Sequence, residues 1–271
     1  MSVPARSAAN LLLRAAAVPA LGYPLLLCWQ QRWLPVPRQQ ITVRLRDHRV
    51  LRCDLADQTQ RTMSLGLFEP AETSLVTRLL KPGDVFIDVG AHIGWFSTVA
   101  ARQVGETGQV IACEPYPQNA SALRMTLALN GVQNVRVIEA AVGSHVGQLS
   151  LAAASDSGSV SAAYPAHGGR QEVQMTTLDQ IAADIPAVAL VKIDVEGWEP
   201  RVLRGAVQTL SRTRNVLIEL NRPALSAVGS SSDEVIALLR AAGFTRFDRV
   251  VQSGFRRLLR SREVVNVLAG R

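Results

Sequence analysis

The feature that constrains the fold most is a regular alternation of short apolar runs with helical segments, which begins at Val85. The runs are rich in Val and Ile and have the length of strands, and each is bounded by turn residues or a helical pattern. They cover residues 85–90, 109–115, 135–142, 188–197 and 215–221. Because parallel strands require crossover connections, this alternation predicts an α/β fold with a mostly parallel, doubly wound sheet.

Other patterns flank these units. Apolar residues alternate with polar ones on both sides of Asp47–His48, which predicts a hairpin over about residues 41–55. Residues 71–80 have a helical pattern that ends at Lys-Pro-Gly. Residues 244–251 and 263–270 are expected to form an antiparallel pair that closes the sheet.

Length and composition favour one large folded domain. The chain has 271 residues, 48% of them hydrophobic and only 19% charged, which excludes a disordered chain. We expect an N-terminal segment over residues 1–38 and a single domain over residues 39–271, interrupted by a Gly/Ser/Ala-rich stretch at about 143–170. The three cysteines lie far apart without zinc-site spacing, so we expect core residues in a reducing compartment.

The net charge of +7 is concentrated near the two ends of the sequence. Residues 1–60 contain eight Arg against three Asp, and residues 240–271 contain eight Arg against two acidic residues. This distribution fits an anionic partner, such as an anionic lipid or a phosphate-bearing substrate, and equally a solvated surface. Aromatic residues are not interleaved with the Arg residues, so nucleic acid is the least favoured partner.

An apolar stretch at residues 11–29 bears on localisation. Its uncharged part, residues 15–29, would span about 22 Å as a helix, which is short of a bilayer core. The sequence that follows offers no small-residue cleavage site. We therefore expect a cytoplasmic protein in which this stretch packs on a domain or makes peripheral membrane contact through residues 11–33.

The first strand of the alternating region ends in DVGAHIG, which contains Asp88, Gly90 and Gly94. Glycines at a strand-to-helix turn allow the backbone to approach a ligand closely. The motif is not the GxGxxG of dinucleotide sites, because His92 stands where a second glycine is expected. The turn therefore suits a ligand without a pyrophosphate group.

Acidic residues stand at the ends of two further strands. Glu114 closes the second strand, where a carboxylate accepts hydrogen bonds from ribose hydroxyls, although a surface acid is the alternative. In the fourth strand Lys192, Asp194 and Glu196 alternate with apolar residues, which predicts that they share one face. Lys192 lies deeper, and we expect it to pair with Glu219. The carboxylates are expected to converge at the carboxyl edge of the sheet.

The combination of motifs resembles the FkbM family of methyltransferases over about residues 65–220. The matching segments are GDVFIDVGAHIGWFS, ACEP, RVIEAAVG, TLD and LVKIDVEGWEPRVLRGA, in this order. The resemblance implies a Rossmann-like class I methyltransferase fold. It also implies S-adenosylmethionine as cofactor and O-methylation of a hydroxyl on a small molecule, glycan or lipid-linked sugar. His92 replaces the Asn that is more common in the family, so no catalytic role is assigned to it.

The resemblance also implies the binding residues. The cofactor is expected to contact residues that follow the first two strands: Asp88, Gly90, Ala91, Gly94, Glu114 and Pro115. Because an alcohol ionises poorly near neutral pH, a carboxylate is the expected general base. Asp194 is the first candidate and Glu196 the second, and an alternative role for Asp194 is to orient the amino group of the cofactor. No metal site is assigned, because no third ligand stands close to the two carboxylates.

Two alternatives remain at the level of sequence. One is a nicotinamide-dependent oxidoreductase that uses the same crevice, against which the missing GxGxxG counts. The other is a membrane-attached scaffold that has kept the fold without catalysis. Asp88, Glu114 and Asp194 are all present, and this counts against a scaffold.

Overall fold

The computed structural model describes residues 40–153, 160–161, 170–251 and 263–271. These residues divide into two compact units, one with the described residues up to Glu69 and one with those from Pro70 onward. The expected boundary between residues 38 and 39 stays a prediction, and the apolar stretch at residues 11–29 lies outside the described part. Within the described part, every helix is too short or too polar to cross a membrane.

The first unit contains a hairpin and a short helix. Strand β1 (Gln40–Arg44) pairs antiparallel with β2 (Val50–Asp54), and the turn is closed by Leu45, whose N–H donates to the carbonyl of Arg49 at 2.8 Å. The predicted hairpin is thus confirmed. Helix α1 (Gln58–Ser64) follows it and was not predicted.

The second unit is built on a seven-stranded sheet. The strands of this unit are, in chain order, β3 (Val85–Val89), β4 (Gln109–Cys113), β5 (Val135–Ile138), β6 (Ala141–Val142), β7 (Gly147–Ala153), β8 (Val160–Ser161), β9 (Arg170–Thr176), β10 (Val188–Ile193), β11 (Thr213–Asn221), β12 (Arg246–Val250) and β13 (Val264–Gly270). The main sheet has the order β12-β13-β11-β10-β3-β4-β5. Its strands from β11 to β5 are parallel, while β13 and β12 add an antiparallel pair at one edge. The mostly parallel sheet with an antiparallel closing strand is confirmed.

Helices cover both faces of this sheet. They are α2 (Pro70–Leu79), α3 (Trp95–Val104), α4 (Pro117–Leu129), α5 (Leu178–Ile181), α6 (Glu199–Arg204), α7 (Val207–Ser211), α8 (Arg222–Ala227) and α9 (Ser232–Ala241). Ile87 and Val191 pack in the large core with residues of α5, α6, α7 and α9. Ala112 packs with Leu123 and Leu127 of α4. The sheet is therefore doubly wound, as predicted.

The strand order reverses beside β3, because β4 and β5 lie on one side and β10 and β11 on the other. At such a switch point the loops after two neighbouring parallel strands turn to opposite faces and leave a crevice at the carboxyl edge. The register places Lys192 of β10 directly beside Asp88 of β3. The charged residues found in the sequence thus lie at the position where this architecture accepts ligands.

Two of the predicted strands are wrong in extent. The run at residues 135–142 is two strands, because β5 belongs to the main sheet while β6 joins a four-stranded sheet of order β6-β9-β7-β8. The run at residues 188–197 ends as a strand at Ile193. Strands β7 and β8 of this second sheet lie within the stretch at about 143–170, and β9 begins at its end.

The segment between β10 and β11 contains two helices, α6 and α7. Gly205 separates them, and a Cβ at Gly205 would lie 2.0 Å from the carbonyl oxygen of Gly143. A side chain at position 205 would clash with the loop after β6. Only glycine therefore allows this close approach of the two backbones.

Candidate active site

The loop from Gly90 to Gly94, here called the glycine loop, connects β3 to α3. The N–H groups of Gly90 and Ala91 both donate to the carbonyl of Cys113 at 3.0 Å, which ties the loop to the end of β4. Gly90 has φ +87°, and a Cβ there would lie 1.9 Å from the carbonyl oxygen of Asp194. Gly94 has φ +92°, and a Cβ there would lie 2.6 Å from Leu123. These glycines are required by contacts within the protein, which differs from the ligand approach that the sequence suggested.

Asp88 lies beneath the glycine loop and is 1% exposed. Its Oδ2 accepts a hydrogen bond from the Ser97 hydroxyl at 2.7 Å, while its buried Oδ1 has no hydrogen-bond partner among the described residues. Burial raises the pKa of this carboxyl, and the neighbouring Lys192 ammonium acts in the opposite direction. Asp88 thus joins the start of α3 to the central strands of the sheet.

Glu114 follows β4 directly and is 5% exposed. Its Oε2 accepts the N–H of His92 at 2.8 Å, and its Oε1 accepts the N–H of Tyr116 at 3.1 Å and Nδ2 of Asn119 at 3.4 Å. Burial raises the pKa of Glu114 to about 7, although these hydrogen bonds act to lower it. An ionised carboxylate has about four acceptor positions, and three are used here. One remains for a ligand hydroxyl, beside the half-buried Pro115.

His92 contributes to the site through its backbone. Its φ is +50°, and its N–H binds Glu114. Both ring nitrogens are sealed from solvent without a hydrogen-bond partner among the described residues. Burial lowers the pKa of His92 to about 4, so the ring is neutral at physiological pH. The protonation state of the ring therefore does not change near pH 7.

Asp194 follows β10 and binds the end of β3, directly before the glycine loop, since its N–H donates to the carbonyl of Val89 at 3.0 Å. Its side chain is 22% exposed and accepts a hydrogen bond from Nζ of Lys192 at 3.0 Å. The Lys192 ammonium also lies 4.8 Å from the centre of the Phe96 ring. The buried cation is thus adjacent to two carboxylates, Asp88 across the strands and Asp194 along its own chain. Pairing of Lys192 with Glu219 stays a prediction.

Glu196 does not share a strand face with Lys192 and Asp194, so that prediction is wrong. Because β10 ends at Ile193, Glu196 lies in a turn in which the N–H of Trp198 donates to the carbonyl of Val195 at 3.2 Å. Glu196 and Gly197 have φ +50° and +95°, as in a type I′ turn. Oε2 of Glu196 accepts a hydrogen bond from Asn221 at 2.9 Å, which ties it to the end of β11.

Sequence reasoning missed Glu199. This residue is fully buried, and its Oε1 accepts the N–H groups of Val195 at 3.3 Å and Gly197 at 3.1 Å. Burial raises the pKa of Glu199 to about 7. The sequence feature that could have identified Glu199 is its place in the first turn of a helix, directly after a turn that contains glycine.

Three loops therefore meet at the carboxyl edge of β3, β4 and β10. Hydrogen bonds join the glycine loop to Glu114 and join Asp194 to Val89. The edge presents Glu114, which has acceptor capacity for a hydroxyl donor, and Asp194, a partly exposed carboxylate beside a buried ammonium. This arrangement can bind a polar organic ligand and can accept a proton from a second one.

Comparison with known proteins identifies relatives of this chain. Residues 88–246 match the model of the methyltransferase FkbM domain. The chain is 32% identical over 201 residues to the 31-O-demethyl-FK506 methyltransferase FkbM of Streptomyces tacrolimicus, a match that covers 61% of this chain and 74% of that protein. It is 37% identical over 71 residues to a putative ribosomal RNA methyltransferase of Schizosaccharomyces pombe, and it spans only 23% of that relative.

A solved structure is similar at low sequence identity. The S-adenosylmethionine-dependent O-methyltransferase of Thermotoga maritima superposes with a TM-score of 0.47 and 16% identity, covering 86% of this chain and 77% of that one. The fold assignment follows from the strand order and the family match.

Proposed function

The chain belongs to the FkbM methyltransferase family and uses S-adenosylmethionine as its cofactor, and we propose that it methylates a hydroxyl of a small molecule, glycan or lipid-linked sugar. Membership of a methyltransferase family removes the nicotinamide-dependent alternative. The relative named for a 31-O-demethyl substrate supports oxygen as the acceptor atom. The observation that carries the proposal is the partly exposed Asp194 carboxylate beside the buried Lys192 at the switch point.

The residues after β3 and β4 fit the cofactor. Glu114 has an acceptor position left for a ribose hydroxyl, and it is already fixed by backbone N–H groups of the neighbouring loops. We place the cofactor along the residues predicted from the resemblance: Asp88, Gly90, Ala91, Gly94, Glu114 and Pro115. Asp88 acts from below the glycine loop by fixing Ser97 at the start of α3.

When bound, S-adenosylmethionine supplies an electrophilic methyl group, so the protein must align the acceptor hydroxyl and remove its proton. Asp194 is the proposed general base, because it is accessible and the Lys192 ammonium stabilises its ionised form. Glu196 ranks second, since its carboxylate is tied to Asn221. The alternative role of Asp194, holding the amino group of the cofactor, would affect binding rather than the rate.

The experiment that tests this function is transfer of a radiolabelled methyl group to fractionated cell extract. We expect label in the small-molecule, glycan or lipid fraction, as an ether that survives mild alkali. The Asp194→Asn variant is the control for enzyme-dependent labelling. Label in RNA, or a product that alkali releases as an ester, contradicts the proposed acceptor. A wild-type protein that fails to bind the cofactor supports the scaffold alternative.

We also propose that the protein is cytoplasmic and contacts membranes peripherally through residues 11–33. The support is sequence alone: Trp29 and Trp33 accompany several Arg residues, each of which contributes about 1 kcal/mol near an anionic surface. Sedimentation with anionic vesicles at low salt tests this proposal. We expect binding that weakens with salt and is reduced by serine at both tryptophans. Absence of the protein from the vesicle pellet contradicts it.

A further inference from the structure

The turn from Val195 to Trp198 is held in a conformation that most residues avoid. Glu196 has φ +50°, and this left-handed region is unfavourable for residues other than glycine, with Asn and Asp as the usual exceptions. Such a conformation persists when surrounding contacts fix it. The turn contains Glu196 and begins directly after Asp194, so it adjoins both carboxylates of the proposed catalytic set.

Glu199 supplies one set of those contacts. Its Oε1 accepts the N–H groups of both Val195 and Gly197, so a single side-chain oxygen binds two backbone donors of the turn. The carboxyl group is fully buried, and its Oε2 has no hydrogen-bond partner among the described residues. Oε1 accepts hydrogen bonds whether the group is ionised or protonated, so this contact does not depend on the charge.

The backbone directly before this turn packs against the glycine loop and the end of β3. The N–H of Asp194 donates to Val89 at 3.0 Å, and the carbonyl of Asp194 occupies the space that a Cβ of Gly90 would need. On the other side, a Cβ on Gly197 would lie 2.6 Å from the carbonyl oxygen of Ala224. Both contacts are between backbone atoms, so the position of the turn sets how the backbone of Asp194 packs on Gly90.

We propose that Glu199 is a positioning residue, which accepts the N–H groups of Val195 and Gly197 and thereby fixes Asp194 against the glycine loop in the geometry that binds cofactor. The inference rests on the proposed placement of the cofactor along that loop. Glu199 itself is buried and acts through the turn.

Two substitutions separate the acceptor from the charge. Glu199→Gln keeps an acceptor oxygen and removes the charge, whereas Glu199→Met fills the space and leaves both N–H groups without a partner. Two quantities are measured: amide hydrogen exchange at Val195 and Gly197, and the affinity for S-adenosylhomocysteine by calorimetry. For Glu199→Met we expect exchange at least tenfold faster at both amides and affinity at least tenfold weaker. For Glu199→Gln we expect both quantities within about threefold of the wild type.

Asp179 offers a matched control at the opposite edge of the sheet. Its carboxylate accepts the N–H groups of Thr209 at 2.7 Å and Gln208 at 3.1 Å, so it also binds two backbone donors. Asp179→Leu is expected to lower the melting temperature and leave cofactor affinity unchanged. If Glu199→Met does not fold, Glu199→Asp, whose carboxylate is one methylene short of the turn, takes its place with the same expectations.

The outcomes are distinguishable. Unchanged exchange at Val195 and Gly197 in Glu199→Met overturns the proposal, and so does a Glu199→Gln variant as weak as Glu199→Met, which would assign the effect to charge. If exchange at these amides is faster in Glu199→Met but the affinity for S-adenosylhomocysteine is unchanged, the turn does not affect the cofactor site. This result also overturns the proposal. A wild-type protein without affinity for S-adenosylhomocysteine instead contradicts the proposed function, and the exchange data still decide whether Glu199 holds the turn.

Discussion

Glu114 and Asp194 are both carboxylates at the carboxyl edge of one sheet, yet their surroundings differ. Glu114 is 5% exposed and is bound mainly by the backbone N–H groups of His92 and Tyr116. The Asp194 side chain is 22% exposed and is paired with a lysine. The first environment fixes a carboxylate as an acceptor, and the second leaves a carboxylate partly exposed beside a buried ammonium. On this difference rests the proposal that Glu114 binds the cofactor and that Asp194 accepts the proton.

The largest expected effect comes from Asp194→Asn. If Asp194 removes the proton of the acceptor hydroxyl, this substitution lowers the rate of methyl transfer by about 10²–10⁴ and leaves most of the affinity for S-adenosylhomocysteine. Initial rates with the acceptor found in the labelling experiment, together with calorimetry, measure the two quantities. Equal losses of rate and affinity would assign Asp194 to the cofactor, and the contrast with Glu114 would disappear.

A smaller effect is expected from Glu114→Ala. Removal of a charge-assisted hydrogen bond costs about 1.5–3 kcal/mol, which corresponds to roughly 10- to 150-fold weaker cofactor binding. Calorimetric titration with S-adenosylhomocysteine measures it, and circular dichroism serves as the folding control. Affinity equal to that of the wild type would remove Glu114 from the binding site.

The sequence predicted the structure correctly where a pattern of residues is compatible with only one arrangement. The parallel sheet follows from apolar runs separated by helices, and Glu114 and Asp194 were found because acids at strand ends are unusual. It failed at residues 188–197, since alternation of charged and apolar residues looks the same in a strand and in a strand followed by a type I′ turn. Glu199 was missed because its partners are backbone N–H groups, so the sequence shows only an acidic residue at a helix start and not the contact that it makes.

The smallest of the three effects is a pH dependence of cofactor affinity. Burial raises the pKa of Glu114 to about 7 in the unliganded protein, and ribose hydroxyls bind the ionised form better. Affinity is therefore highest above pH 7 and is expected to fall roughly tenfold between pH 8 and pH 6. Calorimetry across this range measures the fall, and Glu114→Gln should abolish it. If the affinity of Glu114→Gln still falls between pH 8 and pH 6, a titrating group other than Glu114 causes the pH dependence.

The central claim is that Asp194 faces the reacting centre while Glu114 holds the ribose, and one comparison of two ligands tests it without an acceptor. S-adenosylmethionine carries a sulfonium cation that S-adenosylhomocysteine lacks, so the ratio of their affinities reports the charge near the sulfur atom. We expect Asp194→Asn to reduce the preference for S-adenosylmethionine by about tenfold, because one negative charge is lost while the Lys192 ammonium keeps its positive charge. Glu114→Ala should weaken both ligands equally. An unchanged ratio in Asp194→Asn would contradict the account.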